Sequence, residues 1–206
     1  MYQQSPDFIA VLVPFVIVLM SLTVHEAAHA WTADRLGDPT ARMLGRVSLN
    51  PIVHIDPIGT LLLPLLAAVS NLPIIGWAKP VPVNISRLKR GRQDFMIIAA
   101  AGPASNILLA IAGAILVRLL GVPSFGSSPL LQFVEINILL GLFNLIPVPP
   151  LDGGNVLAGV LPSRAALLFD RMRPFGFVIL YALMFTGMLG TLIMPPARFL
   201  WSLLIP

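Results

Sequence analysis

Apolar residues run almost unbroken from Phe8 to Leu22, and nothing in that stretch is charged. An apolar α-helix needs about 20 residues to cross the hydrocarbon layer of a membrane. The first run reaches that length, to about Trp31, only if the helix continues through "TVHEAAHAW". Two histidines and a glutamate are thereby drawn into a segment otherwise suited to lipid. Phe95 to Val117 is uncharged throughout and predicts a second span. Ile136 to Leu151 continues an apolar stretch that begins near Pro129 and is interrupted only by Glu135. Phe175 to Met194 predicts a further span, and "PPARFLWSLLIP" an interfacial tail.

The stretch from Asp56 to Asn84 breaks this pattern. Its apolar part is long enough to span, but Pro57, Pro64 and Pro73 interrupt it. Arg35, Arg42 and Arg46 precede it, and Lys79, Arg87, Lys89, Arg90 and Arg92 follow. Basic residues on both flanks favour the cytoplasmic side. A re-entrant or half-span hairpin satisfies them better than one full crossing, with two closely packed crossings as the alternative. "WAKPVPVNI" alternates residue types and contains prolines, which suits an edge strand or extended loop. The charge bias then puts the N-terminus outside and residues 32–94 inside or dipping into the membrane. The next two spans run out and back, with Arg164, Arg171 and Arg173 inside before the last span runs out. The expected fold is an all-α polytopic membrane protein of about four to six transmembrane helices. A re-entrant or β-like hairpin lies between the HEAAH helix and the next full span.

Composition agrees. Of 206 residues, 57% are hydrophobic and 11% charged. A soluble domain carries about 25% charged residues, so the chain falls in the membrane class. The net charge of +4 rests on few charges and reports orientation, giving no support to a nucleic-acid partner. Cysteine is absent, so disulfides and thiolate metal ligands are excluded. No basic n-region or small-residue cleavage site marks the N-terminal run as a signal peptide, so the first span is expected to be retained. Nothing divides the chain, and residues 1–206 read as one membrane domain. Its catalytic core covers about 8–162 and its C-terminal span about 174–196.

Residues four apart stack on one face of a helix, so His25 and His29 can present both imidazoles to one ion. Glu26 stands at the rim of that face. This is the HExxH arrangement, in which two imidazoles hold zinc and the glutamate handles a proton of the attacking water. A buried histidine can instead be an interhelical hydrogen-bond partner. Against that, each ionisable group inside a span costs about 2.5–3.5 kcal/mol on insertion scales, which marks it for function. Catalytic zinc takes three protein ligands and keeps one position open. Without cysteine, the candidates for the third are Asp152, Glu135 and His54, with Asp56 behind them. Asp152 lies in "NLIPVPPLDGGNVL", where prolines prevent a regular helix and glycines allow tight turns. Its bland reading is a helix N-cap.

HEAAH on the first span, "GPASN" (Gly102 to Asn106) and "NLIPVPPLDGG" together resemble the site-2 protease family of intramembrane zinc metallopeptidases. The resemblance runs from about residue 20 to 160. It includes "NPIVHIDPIGT" and "GWAKPVPVN", typical of compact prokaryotic members. It implies one zinc per chain on His25, His29 and Asp152, with Glu26 as general base. It also implies that Asn144, Pro147 and Pro149 help to receive the substrate strand. His54 and Asn106 are candidates for the surrounding shell, His54 orienting the hairpin or a substrate carbonyl. No PDZ or CBS domain is expected within the chain. The implied partners are transmembrane protein substrates and the lipid bilayer, in a prokaryotic plasma membrane. A zinc carrier and a non-catalytic scaffold for membrane helices are the alternatives. Neither gives Glu26 a role.

Overall fold

Residues 8–70, 76–124, 126 and 128–205 are described by the structure, a computed structural model. Helix α1 (Phe8–Arg35) runs unbroken through HEAAH. Beyond Gly37, the Asp38 carboxylate accepts from the Thr40 amide and opens the single turn α2 (Thr40–Met43). The other Asp38 oxygen accepts from the Asn84 amide at 2.6 Å, tying the end of α1 to a segment 46 residues later. Burial raises the Asp38 pKa, but these bonds and Arg87 outweigh it and hold the carboxyl below its ordinary value.

The segment expected to form a hairpin starts with a 3-10 turn (Pro51–His54) and a π-helical turn (Pro57–Leu62). Asp56 caps the second turn by accepting from the Ile58 and Gly59 amides at 3.0 and 2.7 Å. α3 (Leu63–Ser70) follows, and the tip at 71–75 lies outside the described residues. The returning limb, 76–84, is an extended loop and not a strand. Pro80 and Pro82 have no N–H to give a ladder. The limb is instead tied at separate points. The Trp77 amide donates to Gly59 O (3.1 Å) and the Lys79 amide to His54 O (2.9 Å). The Thr60 hydroxyl donates to Trp77 O, and Arg46 to Lys79 O.

α4 (Arg92–Leu119) contains the predicted uncharged span, and α5 (Pro129–Asn144) packs along it. Four helices follow: α6 (Asp152–Val160), α7 (Ser163–Asp170), α8 (Gly176–Phe185) and α9 (Met188–Leu204). Among the described residues α1 and α4 are long and apolar enough to cross a membrane. The α8–α9 pair makes a third only if its 75° bend is one broken span. Pro57–Leu66 and α5, at 16 residues, are apolar but shorter, and the proline-rich segment stops α5. The expected span 175–194 is broken too. Gly187 takes φ +75° and ends α8, and α9 then continues through Pro195 and Pro196 to Leu204. The anticipated separate tail is the second half of that helix.

Ala110 and Ala114 of α4, Val134 and Ile138 of α5, Leu180 of α8, and Ile193 and Ala197 of α9 form the main buried cluster. Small residues let backbones approach where lipid removes the usual hydrophobic drive between helices. Leu108, Ile115 and Leu119 point outward, as lipid-facing positions should.

Candidate metal centre

α1 sets His25 and His29 one above the other, with their Nε2 atoms 3.1 Å apart. The LDGG turn carries Asp152 to them: Asp152 Oδ2 lies 3.0 Å from His25 Nε2 and 3.3 Å from His29 Nε2. The tight turn depends on Gly153, where a Cβ would stand 2.2 Å from Leu145 O. These three side chains form the one metal-competent cluster of His, Cys, Asp or Glu among the described residues.

Hydrogen bonds on the far side of each ring decide what the cluster can bind. His29 Nδ1 faces Ile98 O at 2.7 Å and must donate to it. His25 Nδ1 faces Asn106 Oδ1 at 2.6 Å. Asn106 is held in that orientation because its Nδ2 donates to Asn137 Oδ1 (3.0 Å) and Ser21 O (3.4 Å). Asn137 donates in turn to Ser21 Oγ and Phe133 O, both at 2.9 Å. Ser21, Asn106 and Asn137 are fully buried, one on each of α1, α4 and α5. With both Nδ1 atoms protonated, both Nε2 lone pairs face a carboxylate oxygen. With both rings neutral, three acceptors converge without a donor, an arrangement that a metal cation can fill.

Zinc fits. Atoms bound tetrahedrally at about 2.0–2.1 Å lie about 3.3 Å apart, against the 3.0, 3.1 and 3.3 Å found here. The opposing wall leaves the needed space. A Cβ on Gly102 of α4 would stand 2.4 Å from His29 Nε2 and 2.5 Å from His25 Nε2.

A cavity of about 820 Å³ opens from this cluster and takes Glu26 into its lining. Phe15 and Leu19 line it on the N-terminal half of α1, and Val81 and Val83 on the returning loop. Asn144 also lines it, with its Nδ2 donating to Leu140 O at 3.0 Å. Pro147 is exposed and Pro149 is buried beside Gly176, and the cavity wall takes the adjacent Pro150 instead. His54 stands outside the metal cluster. Its Nε2 donates to Ser48 O at 2.8 Å, and its Nδ1 lies 3.5 Å from Arg46 Nη2. Burial pushes the His54 pKa below its ordinary value, and the Ser48 carbonyl only partly opposes this. Glu135 is exposed on α5 and Asp56 is a helix cap.

Ser21, Gly102, Asn137 and Asn155 all belong to this neighbourhood without having been singled out in the sequence. An Asn inside an apolar span was the available signal for Asn137. Gly102 sits in the quoted GPASN motif, but its role is visible only from the opposing rings.

A profile of Peptidase family M50 matches residues 122–187, which include Asp152 but not the HEAAH helix. YwhC of Bacillus subtilis is 35% identical over 198 residues, covering 90% of this chain and 86% of its own. Rip2 of Mycolicibacterium smegmatis is 32% identical over 176 residues, 84% of this chain and 66% of its own. Both bear the name "Putative zinc metalloprotease". MJ0392 of Methanocaldococcus jannaschii, named a zinc metalloprotease, is 28% identical over 75% of this chain and 36% of its own. No solved structure matches significantly. A long helix bearing HEAAH, an LDGG aspartate folded back onto it and similarity to YwhC over most of both chains agree: the chain belongs to peptidase family M50, the site-2 protease family, and is a membrane zinc metalloprotease.

Proposed function

We propose that the chain is an intramembrane metalloendopeptidase that hydrolyses peptide bonds in or near the transmembrane segments of membrane proteins. The observation that carries this reading is the placement of His25, His29, Asp152 and Glu26 on one cavity whose wall is otherwise largely apolar. His25, His29 and Asp152 hold one zinc, which when bound supplies Lewis acidity toward a peptide carbonyl and toward water. Glu26 takes the proton of the attacking water and passes it to the leaving amine. Asn106 and the Ile98 carbonyl keep both imidazoles in the metal-binding tautomer.

A substrate helix hides its peptide bonds in its own hydrogen bonds and must unwind locally to be cut. Irregular backbone is tolerated at membrane depth where protein or a water-filled cavity surrounds it. Asn144 meets the unwound stretch, while Pro147 and Pro149 act by keeping their segment irregular. The loop 76–84 offers the substrate unpaired backbone. Residues 1–206 work as one domain, with transmembrane proteins of a prokaryotic plasma membrane as substrates. The test compares membrane-protein fragments in cells carrying wild-type or Glu26→Gln protein. Fragments that vanish with Glu26→Gln, while purified mutant keeps one zinc, are expected. An unchanged fragment set would overturn the peptidase reading, and zinc transport persisting in the mutant would point to a carrier.

A further inference from the structure

Asn155 stands three residues after Asp152 on α6, so the two share a helix face, and both line the cavity. Its oxygen is taken: Arg173 Nη1 donates to Asn155 Oδ1 at 2.8 Å. Arg173 is itself fixed, with Nε on Asp170 Oδ1 at 2.9 Å, and Arg92 Nη2 holds the other Asp170 oxygen at 2.8 Å. A guanidinium only donates, so it settles which end of the Asn155 amide faces it. The Asn155 nitrogen is left free, and it finds no acceptor among the described residues. Asn144, on the same cavity, is held the other way round. Its nitrogen is bound to Leu140 O, which leaves Oδ1 as an acceptor.

We infer that Asn155 is a substrate-binding residue whose Nδ2 donates to a backbone carbonyl of the unwound peptide, and that Arg173 positions it. An extended peptide presents N–H and C=O groups alternately. Asn144 Oδ1 meets one of the former and Asn155 Nδ2 one of the latter. Two oppositely oriented amides thus recognise main chain, not side chains, near the metal ligands. Such recognition suits an enzyme that must stabilise an unwound segment whatever its apolar sequence. This inference rests on the peptidase reading given above.

The test measures binding of two zinc-directed probes to detergent-purified, zinc-loaded protein by calorimetry. One is a Leu-Phe dipeptidyl hydroxamate, with a peptide backbone. The other is acetohydroxamic acid, with none. Asn155→Asp keeps the oxygen that Arg173 holds but loses the N–H, so a purely structural role would leave it harmless. It is expected to weaken the dipeptidyl probe about 2- to 12-fold, the value of one hydrogen bond. Acetohydroxamate affinity and the zinc content should stay as in wild type. Arg173→Gln should give a smaller loss of the same selectivity. Asn155→Ala, with the same expectation, replaces the aspartate variant if that does not fold. Equal weakening of both probes, no weakening of the dipeptidyl probe, or a wild type that prefers neither would overturn the inference. A wild type that holds no zinc would instead overturn the metal assignment.

Discussion

Gly102→Ala puts one methyl group against the proposed metal position. Its carbon would stand 2.4 Å and 2.5 Å from the two Nε2 atoms. Comfortable carbon contacts begin at about 3.5 Å, so either the two rings or the α1 and α4 backbones must give way by about 1 Å. Overpacking of this kind typically costs about 1–3 kcal/mol. Expressed wholly in metal binding, that is a loss of about 5- to 150-fold in zinc affinity. Competition against a chelator of known affinity, followed by metal analysis, measures it. Gly113→Ala is the matched control. It lies on the same helix, and its Cβ would meet Phe133 Cδ1 and Val134 Cγ2 at 2.9 Å, away from the metal cluster. The control should lose stability without losing zinc affinity. A Gly102→Ala protein with unchanged zinc affinity would refute the claim that this glycine leaves room for the ion.

Asp152→Ala should lower zinc occupancy along with activity, since the two imidazoles alone make an incomplete site; normal stoichiometry in the metal assay would remove Asp152 from the ligands. His54→Gln should keep one zinc per chain, because its ring bonds Ser48 and Arg46 and not the cluster. His54 also sets a pH dependence. Its folded pKa is below the ordinary value of 6.5, so below that pH the unfolded chain binds more protons and stability is lost as pH falls. Thermal denaturation between about pH 6.5 and 5 should be flatter in His54→Gln than in wild type.

The spans at α1 and α4 were legible because long apolar runs admit one reading. HEAAH was legible because its spacing is a helix spacing. Gly187 was not: a single glycine in an apolar run gives no sign of whether it will take a left-handed φ and break the helix. The stretch from Pro195 reads in the sequence as an interfacial tail, yet α9 runs through both prolines, with Ile193 and Ala197 buried on either side. Arg46 counted in the sequence only as one of several orienting charges. It is buried, and its guanidinium ties the returning loop to the His54 turn. Charge bias reports the side of the membrane, whereas that partnership depends on a backbone carbonyl 33 residues away. Asp152 could be nominated from its local motif, but its meeting with His25 spans 127 positions and is made by tertiary packing.

Asn137 does not touch the cluster, yet its hydrogen bonds lead through Asn106 to His25. Its Oδ1 takes the Asn106 Nδ2 donor, and that bond turns Asn106 Oδ1 toward His25 Nδ1. Asn137→Leu removes that acceptor and leaves the Asn106 amide held only by its longer 3.4 Å bond to Ser21 O. If Asn106 turns over, it offers His25 Nδ1 a donor. The ring then keeps its proton on Nε2, the atom needed for zinc. Outer partners of this kind are typically worth about 10- to 100-fold in metal affinity. Asn137→Asp makes a sharper comparison, because its carboxylate still accepts from Asn106 while losing its own donors to Ser21 and Phe133. Both variants disturb packing among α1, α4 and α5, but only the leucine removes the Asn137 acceptor from Asn106. Chelator competition should therefore show weaker zinc binding in Asn137→Leu than in Asn137→Asp. Equal affinities in two folded variants would mean that Asn137 merely packs the helices and that the tautomer of His25 is fixed without it.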